Sequence, residues 1–154
     1  MCQFEYVKKE MQQYEGKVPP LPKRATKFSA GYDFYSPVDV IIPANSSVLV
    51  WTNVKAKFME DEVLILCVTS GMGKRGLMLA NNLGIIDSDY YNNVNNDGNI
   101  GFRLYNFTNS DYEIKVGDKI GQGIFTKFLK VDNEAEIEKV REGGFGSTDV
   151  KSEK

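Results

Sequence analysis

The segment LGIIDSDYYNN (83–93) sets two carboxylates, Asp87 and Asp89, on either side of Ser88 directly after an apolar run. If this edge is extended, a period of two aims both acids to one face and Ser88 to the other. Paired acids can divide labour: one stays ionised and takes a proton from water, while the other orients or holds charge. Tyr90 follows as an aromatic platform. A solvated turn of Asp and Asn has the same composition, so this segment gains meaning only beside others.

Four more segments carry suitable residue types. In SAGYDFYSP (29–37), Gly31 permits a turn that a side chain would block, and Asp33 follows at the start of a strand. TSGMGKRGL (69–77) puts three glycines, Ser70, Lys74 and Arg75 directly after an apolar run. Backbone N–H groups there could form an anion nest with two cations nearby. It is not a P-loop, because the GxxxxGK[ST] spacing is absent. GDKIGQGIF (117–125) holds Gln122 among apolar neighbours, a pattern that the outer face of a strand explains equally well. REGGFGST (141–148) combines Arg141, the lone aromatic Phe145 and two hydroxyls in an otherwise polar tail. Such a tail suits closure over an aromatic, multiply charged ligand.

Composition narrows the chemistry. None of the 154 residues is histidine, so Ser-His-Asp and Cys-His pairs and imidazole metal ligands are excluded. Catalysis has to run on carboxylates, Lys, Tyr or hydroxyls. The 19 basic and 21 acidic residues leave a net charge of -2, which argues against a binder of nucleic acid polymers. Two cysteines, Cys2 and Cys67, are too few for structural zinc. Cys67 lies in VLILCV, where a buried thiol is expected rather than a disulfide. The longest apolar run, Val63 to Val68, is far short of the ~20 residues a spanning helix needs. The N-terminus has no apolar signal core. The expectation is a soluble, cytoplasmic protein with no membrane contact.

The elements that must position these residues read as mostly strand. Residues 1–16 carry Phe4, Val7, Met11 and Tyr14 at spacings of three and four, which predicts a short amphipathic helix. Pro19, Pro20 and Pro22 force an extended connector. Runs rich in β-branched and aromatic residues follow: VDVII (38–42), SVLVWTNV (47–54), EVLILCVT (62–69), NIGFRLYN (99–106), YEIKV (112–116) and KIGQGIFTKFL (119–129). Short strands at this density, with Gly, Pro, Asn or Asp between them, read as an all-β sandwich or barrel. VDNEAEIEKV (131–140) is a weak candidate for one more helical turn. The organisation expected is a single all-β domain over 1–140 with that short N-terminal helix, and a flexible tail or lid over 141–154.

In this order, SAGYDFYSP, SGMGKRGL, GIIDSDYY, GDKIGQGIF and GGFGST resemble the five motifs of the trimeric dUTP diphosphatases (dUTPases). The resemblance runs from about Pro22 to Thr148, and the Asn-rich third motif is most similar to dUTPases of low-GC Gram-positive bacteria and their phages. It implies a jelly-roll-like β-barrel assembled as a homotrimer with shared active sites. It also implies conversion of dUTP to dUMP and pyrophosphate with Mg²⁺. Asp87 matches the acid that activates the attacking water, and Asp33 the one that reaches the metal through water. Tyr90 matches the residue that stacks on deoxyribose and leaves no room for a 2′-hydroxyl. Asn81, with the backbone near Ile85 and Ile86, matches the uracil contacts. Ser70, Gly71 and Gln122 match phosphate contacts, and Arg141 matches the tail Arg for the γ-phosphate. Phe145 matches the ring stacked on uracil, with Gly146, Ser147 and Thr148 wrapping the phosphates.

The chain departs from the family pattern in places. Thr69 stands where an Arg usually precedes the second-motif Ser, which makes Lys74 or Arg75 the substitute cation. Arg141 is four residues before Phe145, where many members have five. Thr69 motivates an alternative, a dUTP-sensing or partner-binding protein with weak catalysis. The related dCTP deaminases, which use a different set of acids and amides, are a third reading.

Overall fold

The computed structural model describes residues 1–16, 18–137 and 141. Alternation builds its strands. In GFRLYN, Phe102, Leu104 and Asn106 are buried while Arg103 between them faces solvent, the period expected of a half-buried strand. The described strands are β1 (Gln3–Tyr6), β2 (Lys23–Arg24), β3 (Tyr32–Tyr35), β4 (Val40–Ile42), β5 (Ser46–Trp51) and β6 (Val54–Lys57). They continue as β7 (Glu62–Cys67), β8 (Leu77–Leu79), β9 (Gly84–Ile86), β10 (Gly101–Asn106), β11 (Tyr112–Ile114) and β12 (Lys119–Lys127). One short helix, α1 (Ser70–Lys74), and 3₁₀ turns at Lys9–Met11 and Ser88–Tyr90 interrupt them.

All strand pairs are antiparallel. The largest sheet runs β2-β3-β12-β7-β9, a second runs β5-β10-β8, and β1-β6 and β4-β11 form two ribbons. Phe34, Leu64, Leu66 and Ile120 of the first sheet meet Val50, Phe102 and Leu104 of the second in one core. This is the expected all-β, jelly-roll-like barrel. No helix among the described residues is long and apolar enough to cross a membrane.

The N-terminal expectation is corrected. Residues 3–6 are a strand whose Phe4 and Tyr6 stand opposite Ala56 and Val54, and only Lys9–Met11 turns as a 3₁₀ helix. Phe4 packs edge-on to Tyr32 and Phe34, with ring centroids 5.4 Å apart in each pair. An open strand edge and an aromatic cluster outweigh a weak local helix preference. The run 47–54 breaks at Asn53, whose φ of 59° turns the chain from β5 into β6. Residues 131–137 contain no helix, and 138–140 lie outside the described residues. Cys67 is half-buried rather than buried, and both cysteines are free thiols.

Candidate active site

Strand β12 brings the first and fourth segments together. Gln122 stands opposite Asp33 on one side and opposite Cys67 on the other. A Cβ on Gly31 would sit 2.2 Å from Gln122 Oε1, so a side chain there would push the Gln122 amide out of its present position. Asp33 is 6% exposed, and its Oδ2 is buried without a hydrogen bond. Lys119 Nζ lies 2.6 Å from that oxygen, an ion pair by distance that lacks hydrogen-bond alignment. The contact holds the Lys119 ammonium above its ordinary pKa, chiefly through the Asp33 carboxylate.

The second segment leaves the Cys67 end of β7. The Thr69 hydroxyl and carbonyl oxygens both accept from Met72 N–H, at 3.3 and 3.0 Å, and Gly73 N–H reaches the same carbonyl at 3.1 Å. Thr69 is therefore the N-cap of α1. The loop expected here is a helical turn, and the amides of Met72 and Gly73 are spent inside it. Ser70, Lys74 and Arg75 are exposed and Gly71 is half-buried. Arg75 Nε donates to the Tyr112 hydroxyl at 2.8 Å. Arg75 and Lys119 line a pocket of about 420 Å³ with Met72, Tyr112, Ile114 and Asp118. Of the two substitute cations, Arg75 lines this pocket and Lys74 does not.

The third segment runs antiparallel to β7, from Gly84 beside Leu66 to Ile86 beside Leu64, with Asp87 beyond it. Asn81 is exposed in the turn between β8 and β9, and Ile85 and Ile86 pair with Ile65 and Leu64. Strand β9 ends at Ile86, so Asp87 and Asp89 do not alternate along a strand. Asp87 opens the 3₁₀ turn Ser88–Tyr90 in extended conformation, and Tyr90 N–H donates to its carbonyl at 3.1 Å. The two carboxylates still converge. Arg141 donates from Nε to Asp89 Oδ1 at 2.7 Å and from Nη2 to Asp87 Oδ2. Arg141 is thus placed on the acid pair of its own chain. Tyr90 is only 4% exposed, a fixed wall rather than an open platform. Burial raises its phenol above the ordinary pKa, against the opposing Asn96 hydrogen bond and the Arg141 charge.

Asp33, Ser70 and Gln122 therefore gather at one end of β7, and Asp87 and Tyr90 at the other. Leu64 pairs with Ile86 and Cys67 with Gln122, so the two groups are separated on the order of 10 Å at a rise of ~3.3 Å per residue. Phe145, Gly146, Ser147 and Thr148 lie outside the described residues.

The dUTPase family model matches residues 18–149. The chain belongs to the dUTPase family. The deoxyuridine 5'-triphosphate nucleotidohydrolase of Lactococcus lactis subsp. lactis (strain IL1403) is 41% identical over 130 residues, 83% of this chain and 87% of that protein. The Arabidopsis thaliana enzyme of the same name is 34% identical over 136 residues, 84% of this chain and 76% of its own. The crystal structure of dUTPase from Streptococcus mutans superposes with a TM-score of 0.73 at 40% identity, covering 84% of this chain and 98% of that one. The structure of a mutant dUTPase from phage phi11 of S. aureus, which reveals the coordination of a structural Mg(II) ion in that protein, shares the fold with a TM-score of 0.69 at 19% identity, covering 90% of this chain and 97% of that one.

Two features of this dUTPase-family chain escaped the sequence reading. Lys119 is the cation nearest Asp33, and its signal was its place in GDK directly before the Gln122 strand. The other is an amide network under Tyr90, built from Asn53, Asn96 and Asn99. Its signal was the Asn-rich stretch Tyr91 to Asn99, which reads from sequence only as a turn.

Proposed function

We propose that this chain hydrolyses dUTP to dUMP and pyrophosphate, with Asp87 as the base that activates water for attack on the α-phosphorus. The observation that carries the reading is the half-exposed Asp87 carboxylate, on the residue that opens a 3₁₀ turn three residues before the buried wall of Tyr90. Water oxygen bonds to the α-phosphorus and its proton passes to Asp87. The bond from that phosphorus to the α,β-bridging oxygen breaks, and its electron pair leaves on pyrophosphate. Asn81 and the backbone around Ile85 and Ile86 read the uracil edge. Ser70, Gly71, Arg75 and Gln122 receive the phosphates, with Lys119 adding charge. Phosphoryl transfer of this kind depends mainly on positioning and charge neutralisation.

Mg²⁺ fits on one observation. Asp33 Oδ2 is a buried acceptor with no aligned hydrogen bond, its described partner being the Lys119 ammonium at 2.6 Å, and a metal-bound water suits that cation-facing oxygen; Mg²⁺ keeps several waters while taking few protein ligands. When bound, the ion supplies charge neutralisation at the triphosphate. The separation of Asp33 from Asp87 along β7 supports a site completed by a second copy of the chain, within a homotrimer. In such an assembly Arg141 exchanges its carboxylate partners for the γ-phosphate, Phe145 stacks on uracil, and Gly146, Ser147 and Thr148 wrap the phosphates. The free thiols Cys2 and Cys67 suit a cytoplasmic setting.

Thr69 motivated the dUTP-sensing alternative, but its side chain has work as a helix cap, so the missing Arg needs no loss of catalysis to explain it. Incubation with dUTP, dTTP, dCTP and UTP, with pyrophosphate release as readout, tests the reading. Release from dUTP alone is expected. Tight dUTP binding without release would favour the sensor, and ammonia from dCTP would favour the deaminase.

A further inference from the structure

The Asn-rich stretch after Tyr90 has no part in the reaction as described, yet its side chains close around one atom. Tyr90 Oη donates to the Asn99 carbonyl at 2.8 Å and accepts from Asn96 Nδ2 at 2.6 Å. The orientation of the Asn96 amide is fixed independently, because its Oδ1 accepts from Gly98 N–H at 3.1 Å and so turns Nδ2 toward the phenol. Gly98 has φ +80°, and a Cβ there would lie 2.6 Å from the Tyr90 carbonyl oxygen, so the loop fits against Tyr90 only with glycine. Asn99 is anchored in turn: its Oδ1 accepts from Asn53 N–H at 2.9 Å and its Nδ2 donates to Asn53 Oδ1 at 3.2 Å. Tyr90 and Asn99 are buried and Asn96 is half-buried, so a phenol that both donates and accepts here cannot swing without breaking its bond to the buried Asn99 carbonyl.

We infer that Asn96 is a positioning residue that locks the Tyr90 ring against retreat and thereby excludes nucleotides carrying a 2′-hydroxyl. The inference rests on the dUTPase reading, in which Tyr90 meets the sugar. Steric exclusion works only if the wall does not yield. A ring free to tilt by a fraction of an ångström admits one extra oxygen. A hydrophobic or aromatic surface alone rejects an added hydroxyl poorly, so selectivity has to come from rigidity behind the ring. Asn96 supplies it from a loop that touches neither Asp87 nor the phosphate-side residues in the contacts described above.

The test compares kcat/KM for dUTP and for UTP in wild type, Asn96→Ala, Tyr90→Phe and the double variant, with thermal unfolding as a control for folding. Tyr90→Phe keeps the ring and the loop amides and removes only the anchored hydroxyl, so it serves if Asn96→Ala proves unstable. Each single change is expected to lower the dUTP:UTP ratio about tenfold, mainly by raising UTP turnover. The double variant is expected to lose little more than Tyr90→Phe alone, because the Asn96 hydrogen bond to the phenol is already gone in that variant. A merely structural role would reduce both nucleotides in parallel and leave the ratio at the wild-type value. An unchanged ratio in the single variants, or losses that multiply in the double, overturns the inference alone. A wild-type chain that hydrolyses neither nucleotide overturns the dUTPase reading together with it.

Discussion

Arg141 Nε donates to Asp89 Oδ1 at 2.7 Å, and the same guanidinium reaches Asp87, so one side chain spans both acids of the third segment. Its side chain is 18% exposed while the two carboxylates remain about half exposed. A planar fork suited to paired oxygens on carboxylates is equally suited to those of a phosphate. In the proposed cycle the guanidinium exchanges one set for the other. Replacing Arg141 by Ala is expected to lower kcat/KM for dUTP by about tenfold to a hundredfold, as follows from losing a charged hydrogen bond worth ~1.5–3 kcal/mol. Pyrophosphate release measures it, and wild-type kcat/KM in that variant would remove Arg141 from the substrate site.

Asp33 and Asp87 lie at opposite ends of β7, which yields a test of the shared site. Asp33→Asn and Asp87→Asn chains are each expected to be inactive alone. If every site takes Asp33 from one chain and Asp87 from another, random mixing of the two leaves about one site in four intact. Co-refolded mixtures should then recover about a quarter of wild-type activity. Mixtures as dead as their parents would place both acids in one chain's site.

The loop that carries the amide network is itself tied down by a buried ion pair. Lys55 Nζ lies 2.9 Å from Asp97 Oδ2, with side chains 7% and 3% exposed, and Lys8 N–H donates to the same oxygen at 2.9 Å. Burial alone would raise the Asp97 pKa, but the Lys55 and Lys8 hydrogen bonds outweigh it, and the carboxyl sits below its ordinary value. A depressed folded pKa contributes stability that is fully present above the unfolded value of about 3.9 and is lost as pH falls through the lower, folded one. Asp97→Asn is therefore expected to cost about 3–5 kcal/mol at neutral pH, by leaving Lys55 buried without a counter-charge. It should also flatten the fall in stability below about pH 4. Chemical denaturation across pH 3 to 7 measures both. Parallel acid limbs in the two proteins would contradict the assignment.

How much of this was legible in the sequence follows from the range of each interaction. The strands β7, β10 and β12 were readable because their apolar residues recur locally and turn residues bound them. The chemistry of Asp33, Asp87 and Gln122 was readable because residue type and segment order carry it. The N-terminal strand was not: Phe4, Val7 and Met11 fit a helical period, and only the edge of β6, some fifty residues on, decides otherwise. The cap made by Thr69 hid behind an expectation of a cation at that position. The clamp on Tyr90 depends on Asn53 returning beside Asn99, a pairing across 46 residues that no local pattern announces.

The central claim is that the carboxylate of Asp87 takes the proton from the attacking water. Single-turnover dUTP hydrolysis by Asp87→Asn, measured beside the dissociation constant for a non-hydrolysable dUTP analogue, tests it most directly. The account predicts a fall in the chemical rate of at least about 10²–10⁴-fold with binding little changed, the range for losing a general base. Hydrolysis at the wild-type rate in that variant would contradict it.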